Sequence, residues 1–230
     1  MVERGPPPPP TPSPSRVVHH GDGLAWLRAT ALASDHAIVT SLPDSSEVPR
    51  LGFDGWRSWF IDTAELVCRS VADDAVAIFF QTDVKREGRW VDKGFLVALG
   101  AERASSHLLW HKVVCRAPVG TTTFGRPAYA HLMCFSRGLL LAPAQSSADV
   151  IPELGAMPWA RAMGTRACLE ACRFLLKHTA CRKVVDPFCG MGTLLAVANH
   201  LGLDAIGVEL SQKRARRALA LALDPTTLDS

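Results

Sequence analysis

Long apolar runs are missing from this 230-residue chain: none approaches the roughly 18 residues a membrane helix needs, so no membrane partner is expected. The seven cysteines contain no C-x-x-C pair and no secretory leader precedes them, so they read as reduced thiols of a cytoplasmic or nuclear protein. The N-terminal MVERGPPPPPTPSPS mixes acid with base and breaks any helix, unlike an amphipathic transit peptide. There is no G-x-S-x-G, no Cys/His nucleophile signature and no P-loop lysine, which removes the common hydrolase and NTPase motifs. What remains is a length suited to one domain, with 48% hydrophobic against 20% charged residues.

Charge is unevenly spread. Residues 1–84 carry six Lys/Arg against eleven Asp/Glu, 85–137 carry nine against three, and 138–230 carry ten against eight. A basic middle segment interleaved with Trp90, Trp110, Phe124 and Tyr129 suits a polyanion whose bases can stack. A solvated surface with buried aromatics would give the same composition.

Residues 5–15 are mostly proline and are expected to form a polyproline-II tail, either solvating or a ligand for a proline-binding domain. Strand and helix patterns then alternate, which argues for an α/β fold with a mainly parallel sheet. Strands are expected at HAIVT (36–40), AVAIFFQTD (75–83), HLLWHKVV (107–114), YAHLMCFS from Tyr129, KVVD (183–186) and AIGVEL (205–210). Helices are expected at 56–71, with Asp54 as N-cap, and at 161–178, 192–201 and 213–223.

The chemistry concentrates at VVDPFCGMGT, 184–193. Glycines after a buried strand let backbone N–H groups at a helix N-terminus approach a ligand closely. Glu209 lies 23 residues beyond Asp186 at the end of the next strand, one βαβ unit on, where an acid grips the hydroxyls of an adenosine ribose. The NAD fingerprint G-x-G-x-x-G fails because Leu195 holds its third glycine position.

D-P-F-C-G-M-G-T followed by I-G-V-E resembles the S-adenosylmethionine site of class I methyltransferases. More narrowly, the chain is similar to their circularly permuted, beta-class DNA amino-methylase-like type, in which the catalytic half comes first. The order Gly21-Asp22, helix, strand and Ser41-Leu42-Pro43-Asp44 fits that arrangement, and the resemblance spans about 19–223. It implies a Rossmann-like, mostly parallel seven-stranded sheet with one antiparallel strand. A tail over 1–16 would precede one domain over 17–225, with a catalytic half at 17–137 and a cofactor half at 158–225. S-adenosyl-L-methionine would contact Asp22, Asp186, Pro187, Phe188, Cys189, Gly190, Gly192, Thr193 and Glu209, while Ser41, Pro43 and Asp44 face the acceptor.

The catalytic slot departs from the family's S/D-P-P-Y/F. Leu42 replaces the first proline and keeps a carbonyl, and Asp44 replaces the aromatic that stacks on a flipped base. Phe53, Trp56 or Trp59 would have to supply that surface. Ser-Leu-Pro-Asp is also similar to N-L-P or D-L-P sites of tRNA methyltransferases acting on ring nitrogens, where Asp44 would be a general base; capping of the next turn is its plain alternative. The interval 138–157 is short for a duplex-recognition segment, so structured RNA is favoured over DNA, with a protein partner as another route to recognition. KREGRWVDK (85–93) and RAPVGTTTFGRP (116–127) are the expected RNA-contacting loops. A DNA amino-methyltransferase, a non-catalytic subunit, and an enzyme for protein or small molecules stay as alternatives. Cys168, Cys172, His178 and Cys181 match no common zinc spacing, and no metal is expected.

Overall fold

The computed structural model describes residues 13–224, 226 and 228, so most of the expected proline tail lies outside the described residues. The fold starts earlier than expected. Ser15 donates its N–H and its hydroxyl to Asp204 Oδ1 (2.7 and 2.8 Å), and Arg16 opens the first strand.

In chain order the elements are β1 Arg16–His20, α1 Gly23–Ala29, β2 His36–Thr40, α2 Gly52–Ser70, β3 Ala77–Gln81, β4 Val84–Arg86, β5 Arg89–Val91 and α3 Lys93–Arg103. There follow β6 His107–Cys115, β7 Tyr129–Ser136, β8 Val150–Ile151, α4 Thr165–His178, β9 Lys183–Asp186, α5 Thr193–His200, β10 Asp204–Glu209 and α6 Gln212–Ala220. The main sheet runs β1-β10-β9-β2-β3-β7-β6-β8, and β4 and β5 form a separate hairpin. Among the described residues only β7 runs antiparallel to its neighbours in the main sheet. The sheet has eight strands rather than seven; the extra one, Val150–Ile151, pairs with Val113–Val114 inside the interval read as a possible recognition segment.

The permutation is visible in the pairing. The last two strands of the chain sit between its first two, with β10 beside β1 and β9 beside β2. β3 reads AIFFQ and is buried at every position, because helices cover both faces of a parallel sheet. All seven cysteines are free and buried, Cys168 and Cys172 among the core residues of α4.

Two helix starts and one whole helix differ from the expected ones. α2 begins at Gly52, which puts Asp54 in the first turn rather than at the cap. α4 begins at Thr165, because 156–164 folds back on itself: Thr165 N–H reaches the Ala156 carbonyl at 3.0 Å. α3 was not expected; Asp92 starts it by accepting from Phe95 N–H at 2.8 Å.

Candidate active site

At the end of β9 the chain turns sharply. Asp186, 2% exposed, accepts from Phe188 N–H (3.0 Å) and from the Thr40 hydroxyl at the end of β2 (2.7 Å), joining two strands at the sheet's switch point. Burial, reinforced by the charge of Glu209, pushes this carboxyl up to about 7 against those two donors. Gly190 (φ 56°) and Gly192 (φ 83°) then take left-handed conformations. A Cβ on Gly190 would come within 2.6 Å of the Trp159 ring, and one on Gly192 within 2.8 Å of Ala218 in α6.

The turn opens on a cavity of about 260 Å³. Of the expected residues it brings together Asp22, Ser41, Pro43, Asp186, Pro187, Phe188, Cys189, Gly190, Thr193 and Glu209. Gly192 is not in the lining: it is the N-cap of α5, turned toward α6. Asp44 lines a different cavity. Glu209, 6% exposed, accepts from Ser211 N–H (2.7 Å) and from Arg214 Nε and Nη2 (2.9 and 2.8 Å), all on Oε1. Among the described residues none bonds Oε2, which is left to a ligand. Thr193 Oγ1 is buried without a hydrogen-bond partner in the same lining. An anionic acceptor, an orphaned hydroxyl and a glycine turn fit a ribose-bearing cofactor with an amino acid end. Asp22 caps α1 through Ala25 N–H (2.9 Å). Trp159 and Arg161 also line the cavity; the resemblance places 158–176 beside the cofactor as one helix, whereas these two residues lie in the turn before it, and Arg161 reaches Glu47 at 2.6 Å.

A second cavity of about 70 Å³ adjoins the first, and Ser41, Leu42, Glu47, Arg161 and Ala162 line both. Its wall includes Asp44, Phe80, Thr82, Lys93, Arg116 and Arg126. Lys93 Nζ donates to Asp44 Oδ1 and Arg126 Nη2 to Oδ2 (2.7 Å). Lys93 is 3% exposed, and burial pulls its ammonium below the ordinary lysine value while Asp44 opposes the shift. Both oxygens of Asp44 are thus held by cations, which anchors its side chain in the wall of this cavity.

The aromatic surfaces fall differently from the expected ones. Trp56 is fully buried and donates Nε1–H to the Pro43 carbonyl (3.0 Å), so it fixes the slot from behind and offers no face to a base. The Arg86 guanidinium lies 4.3 Å from the Phe53 ring centroid. Trp59 lines the larger cavity and meets Phe188 edge-on at 6.3 Å, while Phe80 lines the smaller one.

Behind the second cavity, His131 Nε2 lies 3.1 Å from both oxygens of Asp83, and His111 Nε2 lies 2.9 Å from His131 Nδ1. Burial alone would raise Asp83, but the bonds from His131 and from Lys93 N–H hold it below the usual carboxylate range. This cluster carries no signal in the sequence, since β7 brings His131 to Asp83 from 48 residues away.

A family model described as DNA methylase, of the N6/N4 methyltransferase type, matches residues 173–220, the stretch holding the glycine turn and Glu209. No curated protein sequence matches the chain. Among solved structures, the cytosine-N4-specific PvuII DNA methyltransferase superposes with a TM-score of 0.69 at 14% identity, covering 94% of this chain and 91% of that one. A putative DNA modification methylase of Thermus thermophilus, complexed with S-adenosyl-L-methionine, superposes with a TM-score of 0.66 at 20% identity, covering 89% and 92%. M1.HpyAVI superposes with a TM-score of 0.55 at 12% identity, covering 94% of this chain and 99% of that one. Among the described residues no helix is long and apolar enough to cross a membrane.

Proposed function

We propose that this chain is an S-adenosylmethionine-dependent methyltransferase acting on an exocyclic amino group of a DNA base; its fold, like that of solved DNA methyltransferases, and the family match over residues 173–220 support the reading. The observation that carries this reading is the pair of adjoining cavities with Ser41 and Leu42 in their common wall. One is shaped for a cofactor, and the other is polar and sited for an acceptor.

When bound, S-adenosylmethionine supplies an activated methyl group on a sulfonium. Glu209 Oε2 would take the ribose hydroxyls, the 188–192 turn and Thr193 the amino acid end, and Asp22 the adenine. The Ser41 hydroxyl and the Leu42 carbonyl would accept the target amine's hydrogens, leaving its lone pair free for in-line attack. An exocyclic amine becomes acidic only after attack, so acceptors suffice, whereas a ring N–H must first lose its proton to a base; in this reading Asp44, tied to Lys93 and Arg126, serves as an anchor. Arg126, Arg116 and Lys93 bring donors to the acceptor cavity, suited to the ring nitrogens and carbonyls of a base taken out of its stack.

RNA was favoured because 138–157 leaves little room for duplex recognition. That argument loses its force: this chain spans 91% of the PvuII DNA enzyme's chain, which works on DNA at a similar size. The test is transfer of labelled methyl into DNA, RNA and protein fractions, with Glu209→Ala as the control. Label in DNA, cut about 100-fold by Glu209→Ala at limiting cofactor, supports the proposal, since a hydrogen bond to a charged group contributes about 1.5–3 kcal/mol. Label confined to RNA or protein overturns it. Cofactor binding without transfer into any fraction would point instead to a scaffold or to a required partner protein.

A further inference from the structure

Beside the acceptor cavity two projections stand close together. One is the β4–β5 hairpin, closed by a two-residue turn with positive φ at Glu87 (49°) and Gly88 (77°), the geometry that keeps a two-stranded ribbon tight. The other is the 116–128 connection between β6 and β7. They touch: Lys85 N–H donates to the Gly125 carbonyl at 3.4 Å. The hairpin carries Lys85, Arg86 and Arg89 against Glu87 alone, and the connection carries Arg116 and Arg126 with no acid. Lys85 lies 5.8 Å from the ring centroid of Trp90, which is half exposed.

Phe124 is the feature that packing does not explain. It is 84% exposed within this basic connection. Two residues later Arg126 bonds Asp44 in the wall of the acceptor cavity, so Phe124 sits on a chain segment anchored into that wall. A base entering the cavity leaves a gap in its duplex, and an apolar side chain inserted into the stack fills such a gap and holds the duplex open.

We propose that Phe124 is the wedge that enters the base stack of duplex DNA as the target base leaves it, while Lys85, Arg86 and Arg89 hold the adjoining phosphates. The inference rests on the DNA methyl transfer proposed above. It makes Phe124 a positioning residue with no part in the transfer itself.

The experiment compares Phe124→Ala, Phe124→Trp and wild type on unmethylated plasmid DNA, both duplex and heat-denatured, with labelled S-adenosylmethionine. Val119→Ala, 93% exposed in the same connection, is the control for a merely exposed side chain. Phe124→Ala should cut transfer into duplex about tenfold or more, and leave transfer into denatured strands within about threefold, because only the duplex must be unstacked. Phe124→Trp should restore duplex transfer, and Val119→Ala should leave both substrates unchanged. Where denatured DNA is not a substrate, the Trp rescue carries the test. Equal losses on both substrates, no loss on duplex, or loss by Ala and Trp alike overturns the wedge while leaving the methyl-transfer proposal standing. Wild-type transfer into RNA or protein alone overturns both.

Discussion

The two cavities that meet at Ser41 and Leu42 are built by opposite means. The larger is shaped mainly by backbone: a glycine turn, two strand ends and helix N-termini set its walls, and the backbone bonds at its acids are local, Phe188 to Asp186 and Ser211 to Glu209 each spanning two residues, with Thr40 to Asp186 the long-range exception. The smaller is shaped by charged side chains brought from far apart, Lys93 lying 49 and Arg126 82 residues beyond Asp44. A backbone-built site can be bound by any chain that repeats the turn. A site built from paired side chains can be retuned one residue at a time, which suits the half of the enzyme that meets a variable substrate.

That contrast can be broken at its ion pairs first. Asp44→Ala leaves Lys93 buried without a counter-charge and should destabilise the protein by about 3–5 kcal/mol in urea unfolding. Adding Lys93→Met should recover much of that loss, since the pair is strongly coupled. The double variant also separates anchor from base. Methyl transfer within about tenfold of wild type identifies Asp44 as an anchor, whereas a loss of about 100-fold or more that Lys93→Met alone does not show would reinstate the expected base.

The backbone-built side is next. Gly190→Ala places a Cβ at φ 56° and 2.6 Å from Trp159. The left-handed conformation costs the fold about 1–2 kcal/mol, and the clash with Trp159 displaces the turn, so cofactor affinity in calorimetry should fall by about tenfold or more with the global fold retained. Unchanged affinity would mean that the turn does not hold the cofactor.

A smaller effect comes from Asp186, whose folded carboxyl titrates near 7 because it is buried. The folded state keeps its proton where the unfolded chain has already lost it, so this group's stabilisation is full below about pH 4 and is lost as pH rises through 7. Asp186→Asn keeps the acceptor for Phe188 N–H and the Thr40 hydroxyl without that titration. It should flatten the decline, gaining about 2 kcal/mol over wild type between pH 5 and pH 8 in urea unfolding. Parallel pH profiles would place the titration elsewhere.

The same contrast explains what the sequence could reveal. D-P-F-C-G-M-G-T with Glu209 was legible because each residue acts through backbone geometry encoded within a few positions, and the strand order around it followed from the permuted arrangement. The roles of Asp44, Lys93, Arg126 and His131 were not legible, because their partners are set only when β2, β3, β7 and α3 converge at one end of the sheet. α3 itself was masked by the charged hairpin before it, and the eighth strand has only two residues, too few for any periodicity. Trp159 and Arg161 carry helix-compatible residues in a turn whose shape comes from contacts with 154–156.

The central claim, transfer to an exocyclic amine of a DNA base without a general base at Asp44, is tested most directly by identifying the product. Plasmid DNA would be incubated with the protein and methyl-labelled S-adenosylmethionine, digested to nucleosides and analysed by mass spectrometry. Label on the exocyclic nitrogen of adenine or cytosine is the predicted result; label on a ring nitrogen, or in RNA alone, would contradict it.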